Sequence, residues 1–309
     1  MSTASTSTIA RIAVGVDGYP EGRDASVLAA AIARATSAEL MLVAVHPDPL
    51  VVLPRGMDWK GLHDQAAATL REARDSLAPG ARIVVETDFS IPRALGRAVR
   101  REHRDLLVMG SSRHAPEGHV RIGKRTRQLL CHFESALAVA PRGLHQRPEP
   151  RMSRIAVGYD GRPESQAGLR VAQEIAAGFG ATLQIRGVID DRIRAFVHPH
   201  DSGALPGLGW SSGRGDDGSA EWEEIVASAE QRLRDELEHA ALITGENVVC
   251  EVVRGRPADR LLELADEVDL IVIGSRRWGP VARLMLGSTG ESLLHDAGCP
   301  VLVVPRAHE

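Results

Sequence analysis

Two aspartates occupy the same short motif at two places in the chain. Asp17 follows an apolar segment at residues 12–16, and Asp160 follows a copy of that segment 143 residues later. A carboxylate at the end of a buried strand can accept hydrogen bonds from the hydroxyls of a ribose. A later apolar segment in each copy runs into a glycine, Gly110 or Gly274, and glycine lets the backbone come close to a phosphate. These residue types therefore point to a nucleotide.

Each glycine turn leads to the start of a predicted helix. The turn reaches Gly123 and Lys124 in the first copy, and Gly287, Ser288 and Thr289 in the second. Free N–H groups and the dipole at a helix start attract phosphate, and the two hydroxyls add further donors. For an isolated Gly-Ser pair, a helix N-cap at Ser288 is the better interpretation. Combined with the aspartate and the earlier glycine, the pair favours a phosphate site.

The elements that must position these residues come from an internal duplication. Residues 11–21 and 154–164 agree at nine of eleven positions, and later segments repeat at a spacing of 164. The second copy therefore carries about 21 extra residues after its second strand. The boundary at residues 142–153 contains Pro148 and Pro150, which predicts domains at residues 1–147 and 148–309.

Within each copy, short apolar segments alternate with amphipathic ones. This alternation predicts a parallel sheet with helices on both faces, an α/β fold of five strands per domain. In the strand order 3-2-1-4-5, the crevice between strands one and four is where ligands bind. In the first copy we predict strands at residues 12–16, 40–45, 83–86, 106–109 and 136–140, with helices at 24–35, 62–77, 92–103 and 125–133; in the second, helices at 221–241 and 290–295.

Here the chain resembles the universal stress protein family in its tandem form, over about residues 11–306. The family's ATP-binding signature is Gly-x2-Gly-x9-Gly-Ser/Thr after strand four. The second copy matches at Gly274, Gly287 and Ser288, with Arg277 replacing the second glycine. The resemblance implies two Rossmann-like (HUP-type) domains that bind ATP, alone or with Mg²⁺. It also implies that last strands of two domains pair antiparallel, either between chains in a homodimer or within one chain as a pseudo-dimer.

The first copy departs further from the signature. It matches at Gly110 and Gly123, but Arg113 replaces the second glycine and Lys124 replaces the Ser/Thr. By the same resemblance, Val45 and Val188 occupy the backbone position that contacts adenine. The two arginines could bind phosphate through their side chains or fill the space that it needs. Lys124 is either a compact phosphate-binding charge or part of a solvated basic run. On this basis the second copy is the better candidate for ATP.

Composition excludes several other functions. A net charge of −4 argues against nucleic acid and anionic membranes, and no apolar run approaches the length of a membrane span. Three widely spaced cysteines and an N-terminus without an apolar core predict a cytoplasmic protein. Residues 118–124 match GxxxxGK, but Arg125 follows where a P-loop needs Ser or Thr. No nucleophile elbow or metal cluster is present, since His198 and His200 lack further spaced ligands.

We therefore expect an ATP-binding regulatory protein with little or no catalysis. The alternatives are a scaffold that has lost nucleotide binding and acts through protein contacts, and a slow ATPase. The insertion at residues 194–220 is rich in Gly, Ser and Pro and contains Trp210. It is predicted to be a spacer, with a lid over the nucleotide as the alternative.

Overall fold

Each half of the chain folds into the alternation of strands and helices that its sequence predicts. The computed structural model describes residues 8–46, 59–130, 133–148, 151–190, 217–244, 247–275 and 286–305. Most of the predicted spacer or lid, residues 194–216, and the loop that contains Arg277 lie outside this part of the chain. Residues 217–220 begin a long helix.

The first half contains β1 (Arg11–Gly15), α1 (Pro20–Thr36), β2 (Glu39–His46), α2 (Trp59–Leu77), β3 (Arg82–Thr87), α3 (Ile91–Arg101), β4 (Leu106–Gly110), α4 (Lys124–Leu130) and β5 (Ala136–Ala140). The second half contains β6 (Arg154–Tyr159), α5 (Pro163–Phe179), β7 (Thr182–Ile189), α6 (Asp217–Thr244), β8 (Val248–Arg254), α7 (Pro257–Leu262), β9 (Leu270–Gly274), α8 (Ser288–Asp296) and β10 (Val301–Val304).

The strands form one ten-stranded sheet in the order β3-β2-β1-β4-β5-β10-β9-β6-β7-β8. Within each half every pairing is parallel and the order is 3-2-1-4-5, as predicted from the sequence. The halves meet where β5 and β10 pair antiparallel, with Leu302 opposite Ala138. The last strands thus pair within one chain, and both are fully buried.

Burial on both sheet faces explains the apolar strands. Alternate side chains of a strand point to opposite faces. In β1, Ile12 and Val14 enter one core cluster, with α1 and α5, while Ala13 enters the other, with α3, α4 and α8. The sequence missed where α1 begins: the helix starts at Pro20 instead of residue 24, because a proline fits the first helical turn, where its missing N–H costs nothing.

Helices α1 and α5 pack closely together and join the halves on one face of the sheet. A Cβ on Gly178 would lie 2.0 Å from the carbonyl oxygen of Ala35, so only glycine allows this approach. The buried Asp24 of α1 accepts hydrogen bonds from the N–H groups of Gly143 and His145 and holds the segment between the halves. Within the described residues, no helix combines the length and apolarity that crossing a bilayer requires.

Candidate functional site

A cavity of about 500 Å³ opens at the carboxyl ends of β1, β2 and β4 in the first half. This is the crevice where the strand order reverses, the usual ligand position in such sheets. Its volume lies within the range of small-molecule sites. It is lined by every residue that the sequence singled out in the first copy: Asp17, Val45, Gly110, Arg113, Gly123 and Lys124.

Asp17 forms the acidic corner of the cavity. Its Oδ1 accepts a hydrogen bond from the N–H of Tyr19 at 3.2 Å, which orients the carboxylate. Desolvation raises the pKa of Asp17 above its ordinary value, and the charge of Glu21 adds to the effect, while the Tyr19 hydrogen bond and Arg125 oppose it. A Cβ on Gly22 would lie 2.6 Å from Oδ1, so the first turn of α1 makes room for this carboxylate.

Val45 presents main-chain groups to the cavity. The carbonyl of Val43 accepts a hydrogen bond from the N–H of Val16, so the peptide groups of Val43 face β1. Every second residue of a strand directs its N–H and C=O to the same side. The groups of Val45 therefore face the same way, beyond Gly15, the last residue of β1. The N–H and C=O of Val45 are therefore placed to form hydrogen bonds with the edge of a flat heterocycle.

An apolar wall, which the sequence analysis did not identify as part of the site, lies on the α3 side of the cavity. Val43 of β2 and Met109 of β4 belong to it together with Ile91 and Leu95 of α3. Gly15 forms the floor, and a Cβ there would lie 3.1 Å from the sulfur of Met109. Apolar residues are common in every core, so only the fold shows which of them border a cavity. Such a wall suits the face of a planar base.

Three cationic side chains also belong to the cavity lining. Arg113, Lys124 and Arg125 line the cavity and are exposed. Arg113 lies near His114, with 3.4 Å between Nε and the ring Nε2, and the cavity stays open beside it. This contact does not decide between the two roles predicted for Arg113, and both stay predictions. The three charges suit an anionic ligand.

The glycine that ends β4 has a packing role that the sequence did not predict. A Cβ on Gly110 would lie 2.0 Å from the carbonyl oxygen of Glu21 in α1. In the second half a Cβ on Gly274 would lie 2.5 Å from the carbonyl oxygen of Glu164 in α5. Both glycines are therefore required by close contact between strand and helix. Gly123 differs, because a Cβ there meets only Ser112, at an ordinary 3.7 Å.

The GxxxxGK match is not a P-loop. Its residues contact the second half of the molecule: Val120 donates its N–H to the carbonyl of Ala297, and Ile122 donates to Leu294 at the end of α8. Main-chain donors that are used in this way cannot also surround a phosphate. The segment instead connects the first-half cavity to α8.

The second half places its predicted residues at corresponding strand and helix ends. Asp160 follows β6 and accepts a hydrogen bond from the N–H of Arg162. Val188 lies in β7 and Gly274 ends β9. At the start of α8, Gly287 is the N-cap and Ser288 and Thr289 are the first helical residues, so an N-cap at Ser288 is wrong by one position. Arg277 lies in residues 276–285, outside the described part of the chain.

Comparisons with known proteins agree with this architecture. The model of the Universal stress protein family matches residues 8–141 and 152–305. A universal stress protein of Mycobacterium tuberculosis is 26% identical over 323 residues, covering 94% of each chain. One from Mycolicibacterium smegmatis is 26% identical over 309 residues, covering 96% of this chain and 97% of the relative.

Among solved structures, a universal stress protein of Archaeoglobus fulgidus superimposes with a TM-score of 0.65 at 18% identity, covering 98% of this chain and 100% of that one. A functionally unknown protein of Pseudomonas aeruginosa gives 0.62 at 17% identity, covering 96% and 93%. Both support the fold alone. The two matched segments together span most of the sequence, and the chain therefore belongs to the universal stress protein family, as a tandem of two such domains.

Proposed function

We propose that this protein binds an adenine nucleotide, ATP alone or with Mg²⁺, in the cavity of its first half. The observation that carries the proposal is that one cavity gathers all six residues singled out in the first copy. Its lining also offers each kind of group that a nucleotide requires. An apolar wall and the Val45 peptide suit adenine, Asp17 suits the ribose, and cations suit the phosphates.

The sequence favours the second copy, because Ser288 and Thr289 fit the family signature there. We propose the first half because all six of its predicted residues are described and line one cavity. Lys124 and Arg125 at the start of α4 supply two positive charges where the signature would supply one hydroxyl. Charge-assisted hydrogen bonds to phosphate are roughly twice as strong as neutral ones, so the substitution is compatible with nucleotide binding.

We further propose that binding regulates the protein in a stress response in the cytoplasm, and that no turnover accompanies it. The cavity supplies main-chain groups and cations, which hold a nucleotide. The α8 contacts of the segment at residues 118–124 offer a path by which a bound phosphate would affect the other half. A slow ATPase predicts Mg²⁺-dependent release of phosphate, whereas we expect none above the background rate.

Isothermal titration calorimetry with millimolar ATP tests the proposal. We expect saturable binding by the wild type and at least about a tenfold loss in Gly123→Val, equivalent to about 1.4 kcal/mol. If the wild type gives no heat of binding at millimolar ATP, the result contradicts the proposal and favours the nucleotide-free scaffold.

A further inference from the structure

The two halves differ at the wall that would face the base. Val43 lines the first-half cavity, and its cross-strand neighbour is Val84 of β3. In the second half the corresponding pair, at the same register of β7 and β8, is Arg186 and Glu251. Two apolar side chains are thus replaced by two charged ones.

Arg186 and Glu251 form an ion pair there. Nε of Arg186 donates to Oε2 of Glu251 at 3.1 Å, and Nη2 donates to the same oxygen. The Arg186 side chain is only 11% exposed. A guanidinium at this depth has lost most of its hydration, so its paired state is strongly preferred.

The same guanidinium also links β7 to α7. Nη1 of Arg186 donates to the main-chain carbonyl of Arg260 in α7, at 2.9 Å. Helix α7 corresponds to α3, since Leu261 packs against Gly158 of β6 as Leu95 packs against Gly15 of β1. In the first half the cavity has β2 on one side and α3 on the other. The bond from Arg186 therefore joins the elements between which a base would insert.

The ribose corner of the second half also differs in charge. A Cβ on Gly18, after β1, would meet Thr69 of α2 at 3.4 Å. After β6, a Cβ on Gly161 would lie 1.9 Å from Oε2 of Glu236 in α6. Burial raises the pKa of Tyr159, and the charges of Glu236 and Asp160 add to the effect, so both carboxylates lie near that phenol. Glu236 therefore adds a carboxylate where the first half has Thr69, and the added negative charge disfavours an anionic ligand.

We infer that each chain binds one adenine nucleotide, in its first half, and that the Arg186–Glu251 pair excludes the base from the second half. The inference rests on the proposed function and adds the stoichiometry and the residues that set it. A base that entered here would have to break the bond from Arg186 to Arg260. The guanidinium N–H and the carbonyl of Arg260 would then lose their partner, and the face of a stacked base does not replace it.

Calorimetric stoichiometry with ATP on the full chain tests the inference. We expect one site per chain, lost in Gly123→Val and unchanged in Asp160→Ala. Two sites, or loss of binding in Asp160→Ala, would overturn the inference while leaving nucleotide binding established. A wild type that binds no ATP would instead remove the proposed function, and the inference with it.

A double variant tests whether the Arg186–Glu251 pair excludes the base. Arg186→Val with Glu251→Val copies the wall of the first half and keeps the net charge. We expect a second, weaker ATP site that Asp160→Ala removes. Arg254→Val with Glu230→Val, which deletes another ion pair between β8 and α6 and leaves the bond from Arg186 to Arg260 in place, is the matched control and should leave one site. A double variant with unchanged circular dichroism and unfolding temperature that still binds one ATP would overturn the role of the pair.

Discussion

Gly110 and Gly123 belong to the same sequence signature but perform different tasks. Gly110 is required because a Cβ there would lie 2.0 Å from the carbonyl oxygen of Glu21, whereas Gly123 borders open space. One glycine therefore stabilises the contact between β4 and α1, and the other leaves room for a ligand.

This difference predicts separate effects for two substitutions. Gly110→Ala should lower the unfolding temperature markedly, since overpacking against a main-chain carbonyl typically costs about 1–3 kcal/mol. Gly123→Val should unfold within a degree or two of the wild type and bind ATP at least about tenfold more weakly. Differential scanning fluorimetry and calorimetry on both variants would check this. An equal loss of stability in both would contradict the assignment of roles.

Asp17 predicts a conflict between stability and binding. Its pKa in the folded protein is raised above the ordinary 3.8, mainly by desolvation. Its contribution to stability is therefore present below pH 3.8 and lost as the pH rises through the folded-state pKa. Asp17→Asn should raise the unfolding temperature of the ligand-free protein at pH 7 and weaken binding of adenosine.

Adenosine is the suitable probe for Asp17 because it carries no phosphate that titrates in the same range. As the pH approaches the Asp17 pKa from above, affinity for adenosine should fall more steeply in the wild type than in Asp17→Asn. Parallel pH profiles for the two proteins would show that the carboxylate does not contact the ribose.

The polar residues of the first-half site could be predicted from the sequence because they lie at or directly after the ends of strands. Asp17 follows β1, and Gly110 and Lys124 bound the loop after β4. Sequence reasoning missed Leu95 and Met109, because an apolar residue beside a cavity has the same local pattern as one in a core. It also missed the Arg186–Glu251 pair, since 65 residues separate its members and only the register of β7 and β8 brings them together.

At the level of elements, the connection between β3 and α3 fixes the apolar wall. The buried Asp88 accepts hydrogen bonds from the N–H of Ser90 and from the guanidinium groups of Arg93 and Arg97, at 2.8–3.1 Å. These contacts, led by the Arg93 hydrogen bond, hold the pKa of Asp88 well below its usual range. They orient the start of α3, from which Ile91 reaches the cavity.

Asp88→Asn should therefore destabilise the protein by about 1–3 kcal/mol at pH 7, as expected for lost hydrogen bonds to a charged group. Because the folded-state pKa is lowered, the stabilisation is present above the ordinary value of 3.8 and is lost as the pH falls below it. Urea unfolding of both proteins between pH 7 and pH 3.5 should show the difference shrinking towards acid. A difference that grows as the pH falls would contradict this.

The type and order of the helices and strands could be predicted from the sequence, because the spacing of apolar residues distinguishes strands from helices. The residues at which the elements begin were predicted less accurately. Helix α1 begins four residues before the predicted start, and α2 begins at Trp59 instead of residue 62. Polar and small residues at helix starts carry no periodic signal, so these boundaries depend on tertiary contacts.

At the scale of the whole molecule, the antiparallel pairing of β5 and β10 makes one sheet from two domains. Leu302 is fully buried opposite Ala138, and α1 packs on α5 beside it. Burying both last strands removes two sheet edges that would otherwise recruit a further strand. The duplication indicated that the last strands of the two halves could pair. Only the structure shows that they pair within one chain.

Leu302→Ala should consequently weaken both halves together. Truncating a fully buried leucine typically costs about 2–5 kcal/mol. Hydrogen-exchange mass spectrometry should show faster exchange in β1–β4 as well as in β6–β9. Faster exchange confined to the second half would indicate that the two domains unfold independently.

A crystal structure determined with saturating ATP would show directly where the nucleotide lies. We predict density for one nucleotide per chain, with adenine beside Val45, the ribose at Asp17 and the phosphates near Gly123 and Lys124. An empty first-half cavity at saturating ATP, or a nucleotide bound only beside Asp160, would contradict nucleotide binding by the first half.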